Sequence, residues 1–94
     1  MTREIIASIL EREGAQVAGG TLTIPSEREA TCFVSSPGDL LSVTRVVRVE
    51  LFEQHVVLST GKDERFAFAY PAVLGFKLGP PTAQGKDRSA GFGR

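Results

Sequence analysis

The stretch "LLSVTRVVRVELF", Leu40–Phe52, is the feature that most restricts what this chain can fold into. Leu41, Val43, Val47, Val49 and Leu51 fall on one face at a period of two, the pattern of a half-buried strand. Strands in globular proteins usually run about 5–6 residues, so this one is long for a small domain. Arg45 interrupts it by falling on the apolar face. A β-bulge or sharp bend near Thr44–Val46 resolves that conflict. Long strands bent in this way are what small barrels use to turn a corner.

Turn signals separate this strand from its neighbours. Before it, Ser36-Pro37-Gly38-Asp39 places proline and glycine at the second and third positions of a type II turn. The run "ATCFVSS" precedes that turn, and Cys32 alternates there with Ala30 and Val34 as a small core residue. After the long strand, Glu53-Gln54 makes a tight connection into "HVVLST", where Val56 and Leu58 alternate against His55, Val57 and Ser59. The polar turn "GKDE" leads on to "FAFAYPAVLGFKL". Phe66, Phe68 and Tyr70 share one face, Pro71 interrupts the ladder, and Leu74, Phe76 and Leu78 resume the alternation. The stretch therefore reads as two short strands joined by a kink. Phe66, Phe68, Leu74, Phe76 and Leu78 are expected in the core, with the Tyr70 hydroxyl near a surface.

The N-terminal part differs in period. In "TREIIASILEREG", Ile5, Ile6, Ile9 and Leu10 form a helical stripe, Thr2 can cap the start and Gly14 can end it. A helix of about three turns is marginal alone, so its stripe is expected to cover the sheet. Gly19-Gly20 then joins two short apolar runs as a two-residue hairpin. In that register Val17 faces Leu22 and Ala15 faces Ile24 on the buried side, leaving Gln16 and Thr21 facing outward. From Gly79 to Arg94 the chain is rich in Gly and Pro and lacks periodicity, so residues 79–94 are expected to be a disordered tail behind a single domain of residues 1–78.

Function classes narrow mostly by exclusion. A chain of 94 residues forms one small domain with little stability to spare for a deep catalytic cavity. Eleven basic residues balance eleven acidic ones, which argues against a surface that tracks nucleic acid throughout. Cys32 is the one cysteine, so neither a disulfide framework nor a cysteine metal cluster is expected. Ile5–Leu10 is too short for a signal peptide and runs into charged Glu11, Arg12 and Glu13. No stretch approaches the roughly 18 apolar residues of a membrane span, so a cytoplasmic protein is expected. Gly61-Lys62 has Val56 and Asp63 where a phosphate loop needs Gly and Ser or Thr. No Gly-x-Ser-x-Gly elbow presents a serine, His55 has no metal-ligand spacing around it, and Glu50 and Glu53 simply flank a turn. The expectation is a protein that is no enzyme and needs no cofactor, metal or small-molecule substrate.

From Phe52 onward the chain resembles the bacterial Sm-like RNA-binding family typified by Hfq. The residues that carry the likeness are "FEQHVVL" and, after the polar turn, "FAYPAVLGFKLGPP". The resemblance covers residues 52–81 and implies an N-terminal helix followed by a strongly bent five-stranded antiparallel barrel. It also implies that Gln54, His55 and Tyr70 line a base-binding pore. The family carries Lys-His after that tyrosine, whereas this chain has Pro71-Ala72, so the cations that would contact phosphate are missing.

The fold expected is α+β, with the helix packed on a small, strongly bent antiparallel sheet or barrel of five to seven strands. So small a sheet leaves unpaired ladder groups that invite another chain. The function expected is association with itself or another protein through an edge strand, with Gln16 and Thr21 marking the edge. RNA binding of the Sm-like kind is the alternative.

Overall fold

The long strand forms, and it bends where Arg45 marks it. The computed structural model describes residues 1–79. In chain order it contains helix α1 (Arg3–Arg12) and strands β1 (Gln16–Ala18), β2 (Thr21–Thr23), β3 (Glu29–Ser36), β4 (Asp39–Leu51), β5 (His55–Thr60) and β6 (Arg65–Ala69). A single 3-10 turn, Tyr70–Ala72, then leads into β7 (Val73–Gly79). The seven strands form one strongly curled antiparallel sheet, a half-barrel, and α1 packs on it.

β4 organises the sheet because it pairs with three strands. On β3, Ala30 opposes Val46 while Cys32 opposes Val43, so β4 carries one extra residue between them. Arg45 takes a φ of 59° there, which makes Thr44–Arg45 the bulge that the sequence asks for. A second irregularity follows, since Val46 opposes Thr60 and Arg48 opposes Ser59, leaving Val47 as an extra residue against β5. The two insertions put Val43, Val46 and Val49 into the core in place of a simple alternation. Val47, expected on the buried face, is therefore 44% exposed, while Leu41 keeps that face beside Val43 and is 45% exposed because no described strand covers it.

β3 and then β2 run along one edge of β4, and β5 runs along the other from Val46 onward. Val46 is bonded on both sides, to Ala30 and to Thr60. Upstream of it the β5-side edge of β4 pairs with no strand among the described residues. The half-barrel is open along that line.

The remaining turns obey their chemistry. Gly38 has a φ of 76°, as the third position of the Pro37-Gly38 turn requires. The β1–β2 hairpin has the expected register, with Val17 opposite Leu22. Gly20 is needed there for space, because a Cβ on it would lie 3.0 Å from the Leu51 carbonyl oxygen.

The core joins Ile6 and Leu10 of α1 to Leu22, Cys32, Val34, Val56, Leu58 and Val73. Five assignments from the alternating and helical patterns need correction. Ile5 and Val17 are exposed, because only Ile6 and Leu10 face the sheet from α1 and β1 is an uncovered edge strand. Leu74 is exposed and Val73 buried, because the β3–β7 register shifts between Phe33 and Val34 and leaves Leu74 as the extra residue. Phe66 is exposed, and Phe68 is only partly buried. Gly79, placed in the tail by its composition, is the last residue of β7 and pairs with Glu29. The expected tail otherwise lies outside the described residues.

Candidate functional site

Two places gather the residues singled out by the sequence. The first is the β4–β5 turn. Its backbone closes through the Phe52 amide, which donates to the His55 carbonyl at 2.9 Å, so Glu53-Gln54 forms the tip. Phe52 and His55 stack with ring centroids 4.8 Å apart and planes 12° from parallel. Both rings are exposed, as is Gln54. Tyr70 reaches the same turn, for its hydroxyl donates to the Phe52 carbonyl. Burial pushes the Tyr70 phenol above its ordinary range, with nearby Arg3 opposing the shift. The phenol thus stays a neutral donor across the physiological range.

Gln54, His55 and Tyr70 are therefore brought together, but in unequal roles. Tyr70 is buried and its hydroxyl is spent on the turn, so its ring is not a stacking platform. The exposed aromatic surface beside Gln54 is instead the Phe52–His55 pair. The α-amino group of Met1 donates to the carbonyls of Tyr70 and Val73 at 2.9 and 2.8 Å, which braces the 3-10 turn from the other side.

The hairpin edge is less simple than the sequence suggests. Gln16 lies on β1, an edge strand, and is exposed. Thr21 lies on β2, which pairs with β1 on one side and β4 on the other, opposite Ala18 and Glu50. Thr21 is thus interior to the sheet and cannot offer a free ladder.

The second place is the mouth of the half-barrel. Leu41 and Val43 of β4 face it from one side and Phe66 and Phe68 of β6 from the other, around a groove of about 290 Å³. Ser42, Thr44, Thr60 and Glu64 complete its lining. Phe66 and Phe68 stand opposite Leu58 and Val56 across the β5–β6 ladder. Side chains directly opposite in a ladder share a face, and Leu58 and Val56 are wholly buried, so both phenylalanines lie on the core face. They are uncovered because β4 has turned away from β5 at its bulges.

Among the described residues, the edge beside this groove pairs with no strand. Ser36 and Asp39 flank the two-residue turn and Val34 and Cys32 oppose Leu41 and Val43, so these positions bond toward β3. By alternation Leu40, Ser42 and Thr44 aim their N–H and C=O groups outward. The Leu40 amide meets the Asp39 carboxylate at 2.7 Å, in keeping with that direction. Sequence reasoning missed this edge. Its signal was the uncharged run Leu40–Thr44 between Asp39 and Arg45, in a strand that a bulge was expected to divide.

Elsewhere the chemistry is quiet. Cys32 is fully buried, and loss of hydration pushes its thiol up to about 12. Among the described residues no group of three or more His, Cys, Asp or Glu side chains is placed to hold a metal ion. No described helix is long and apolar enough to cross a membrane.

No protein-family model, curated protein or solved structure matches the chain.

Proposed function

We propose that the protein is a non-enzymatic association module that accepts an extended polypeptide segment along the free edge of β4. The observation that carries this reading is the mouth of the half-barrel. Three apolar side chains with strand-core spacing, Leu41, Phe66 and Phe68, stay partly uncovered around one groove, next to backbone groups with no partner strand among the described residues. An added strand would satisfy the outward groups of Leu40, Ser42 and Thr44, while its alternate side chains cover the groove. Main-chain bonds supply affinity and the groove supplies selectivity, the division of labour seen in strand addition. Completing the burial of each half-exposed side chain is worth about 1 kcal/mol.

Selection of random peptides against the immobilised protein tests this. The expected outcome is enrichment of extended sequences with alternating apolar residues, and loss of that enrichment with Leu41→Arg. Failure to enrich any such sequence, or equal retention by Leu41→Arg, contradicts the reading.

RNA binding is the second reading, favoured by the exposed Phe52–His55 stack beside Gln54. Bases can stack on such a pair, and His55→Ala would then weaken binding by about 1–3 kcal/mol. Against it stand the balanced charge and Pro71-Ala72 after the tyrosine. Filter binding with a mixed RNA pool at moderate salt is expected to show no retention by the parent. Retention that His55→Ala abolishes would place the function at the turn instead of the mouth.

A further inference from the structure

The free edge of β4, Leu40–Thr44 with its flanking charges, reads as its own complement; it ends at Arg45, whose carbonyl accepts from the Gly61 amide at 2.9 Å. The segment is Asp39-Leu40-Leu41-Ser42-Val43-Thr44-Arg45, with an acid at one end, a base at the other and no charge between. Laid antiparallel against a second copy about Ser42, it places Asp39 opposite the second copy's Arg45 and Arg45 opposite its Asp39. Leu40 then opposes Thr44, and Leu41 opposes Val43.

We infer that the segment taken up at the mouth is β4 of a second copy of this chain, paired antiparallel about a twofold axis at Ser42. This rests on the strand-accepting reading above and names its partner. The outward-aimed residues fall into register, since Leu40, Ser42 and Thr44 all bond away from β3. Ser42 exchanges both bonds with its equivalent, and Leu40 does so with the second copy's Thr44. Leu41 and Val43 lie on the groove face, so the arriving strand brings its own Leu41 and Val43 to the side where Phe66 and Phe68 are uncovered.

Charge selects this register. Opposite charges directly across a ladder stabilise it and like charges oppose it. The Asp39 carboxylate now holds the Leu40 amide at 2.7 Å, and pairing transfers that amide to a carbonyl and frees the carboxylate for arginine. Arg45 has a loose tie in the single chain, 3.9 Å from Glu29, with its side chain more than half exposed. The other free edges are less suited to themselves. β1 spans only three residues, while β6 starts on Arg65 and β7 contains Lys77. The pairing is isologous and closes on itself, giving a dimer and no fibre.

Sedimentation equilibrium on the full chain tests the inference. The mass of the parent should rise from one chain toward two as its concentration is raised to about 1 mM, where even weak association is populated. Asp39→Arg and Arg45→Asp, each alone, should weaken association about tenfold, because the twofold axis counts each altered contact twice. An equimolar mixture of the two variants should recover it, because the heterodimer regains opposite charges at both ends. Thermal melts establish that each variant is folded. A second route needs no reversal of charge: Ser42→Cys should cross-link between chains under mild oxidation well ahead of Ser26→Cys, which is also exposed.

A parent that stays monomeric throughout overturns the second copy as partner. Peptide enrichment that depends on Leu41 would still stand in that case, so the two failures are distinguishable. A dimer indifferent to both reversals, or one whose mixture is no tighter than either variant alone, overturns the Ser42 register. Cross-linking at Ser42 no faster than at Ser26 does the same.

Discussion

Arg28 donates to the Glu13 carboxylate at 3.0 Å and the Glu13 carbonyl at 3.3 Å, and also to the carbonyls of Leu78 and Gly79. One guanidinium thus ties the end of α1 to the end of β7. The side chain is partly buried, so these charge-assisted bonds outweigh an ordinary surface pair. Arg28→Ala should cost about 1–3 kcal/mol in denaturant unfolding, with Arg28→Lys recovering little because an ammonium cannot fork between both elements. An unchanged midpoint would show that the helix end needs no tie. Nothing in "SERE" announces this role, since a lone arginine between polar residues reads as solvated turn. Cys32 is the opposite case, legible from its place between Ala30 and Val34. Burial pushes its thiol from the ordinary 9.0 up to about 12, so the folded state holds its proton longer. That contribution to stability is complete below pH 9 and is lost as pH rises toward 12. Unfolding followed between these limits should show a decline that Cys32→Ala flattens; equal slopes in both proteins would mean that burial does not hold the proton.

β4 shows what an element's sequence reveals and what it hides. Arg45 on an apolar face disclosed a bulge, and the bulge is there with φ at 59°. Its effect on parity was not legible, because a second insertion at Val47 appears only when β5 is in place. Period-two reading fails at these insertions, so Val47 falls outside the core, whereas Leu41 keeps the face of Val43 and lacks only a cover. The same failure recurs at Leu74 on β7. A non-glycine residue at positive φ is strained, so Arg45→Gly should keep the bulge and raise stability by about 0.5–1 kcal/mol. Arg45→Val, β-branched and unsuited to that region, should lower it by more than Gly raises it. Equal midpoints for the two variants would place the bend elsewhere. Hairpins were the most legible elements, because Gly19-Gly20 and Pro37-Gly38 fix their registers by local chemistry alone.

At the scale of the molecule, a helix on a curled antiparallel sheet followed from alternation, turn spacing and one capped helix. The open mouth did not, because whether β4 and β6 meet depends on how far two bulges swing β4 away from β5. Of the candidate site, Gln54 and His55 share the β4–β5 turn, while Tyr70, in the 3-10 turn, only supports it through its hydroxyl. The uncovered groove changes an energetic expectation as well. Phe68 is only partly buried, so Phe68→Ala should cost about 2–3 kcal/mol, short of the 3–5 of a fully buried phenylalanine. A loss at the top of that range in dilute protein would mean the mouth is closed in the single chain. Amide exchange of the full chain at low and high concentration reads the free edge of β4 residue by residue. The Ser42 and Thr44 amides should exchange quickly when dilute and slow as concentration rises, while Leu41 and Val43, bonded to β3, stay protected throughout. Rates at Ser42 and Thr44 that are slow in dilute protein, or that never respond to concentration, would contradict it.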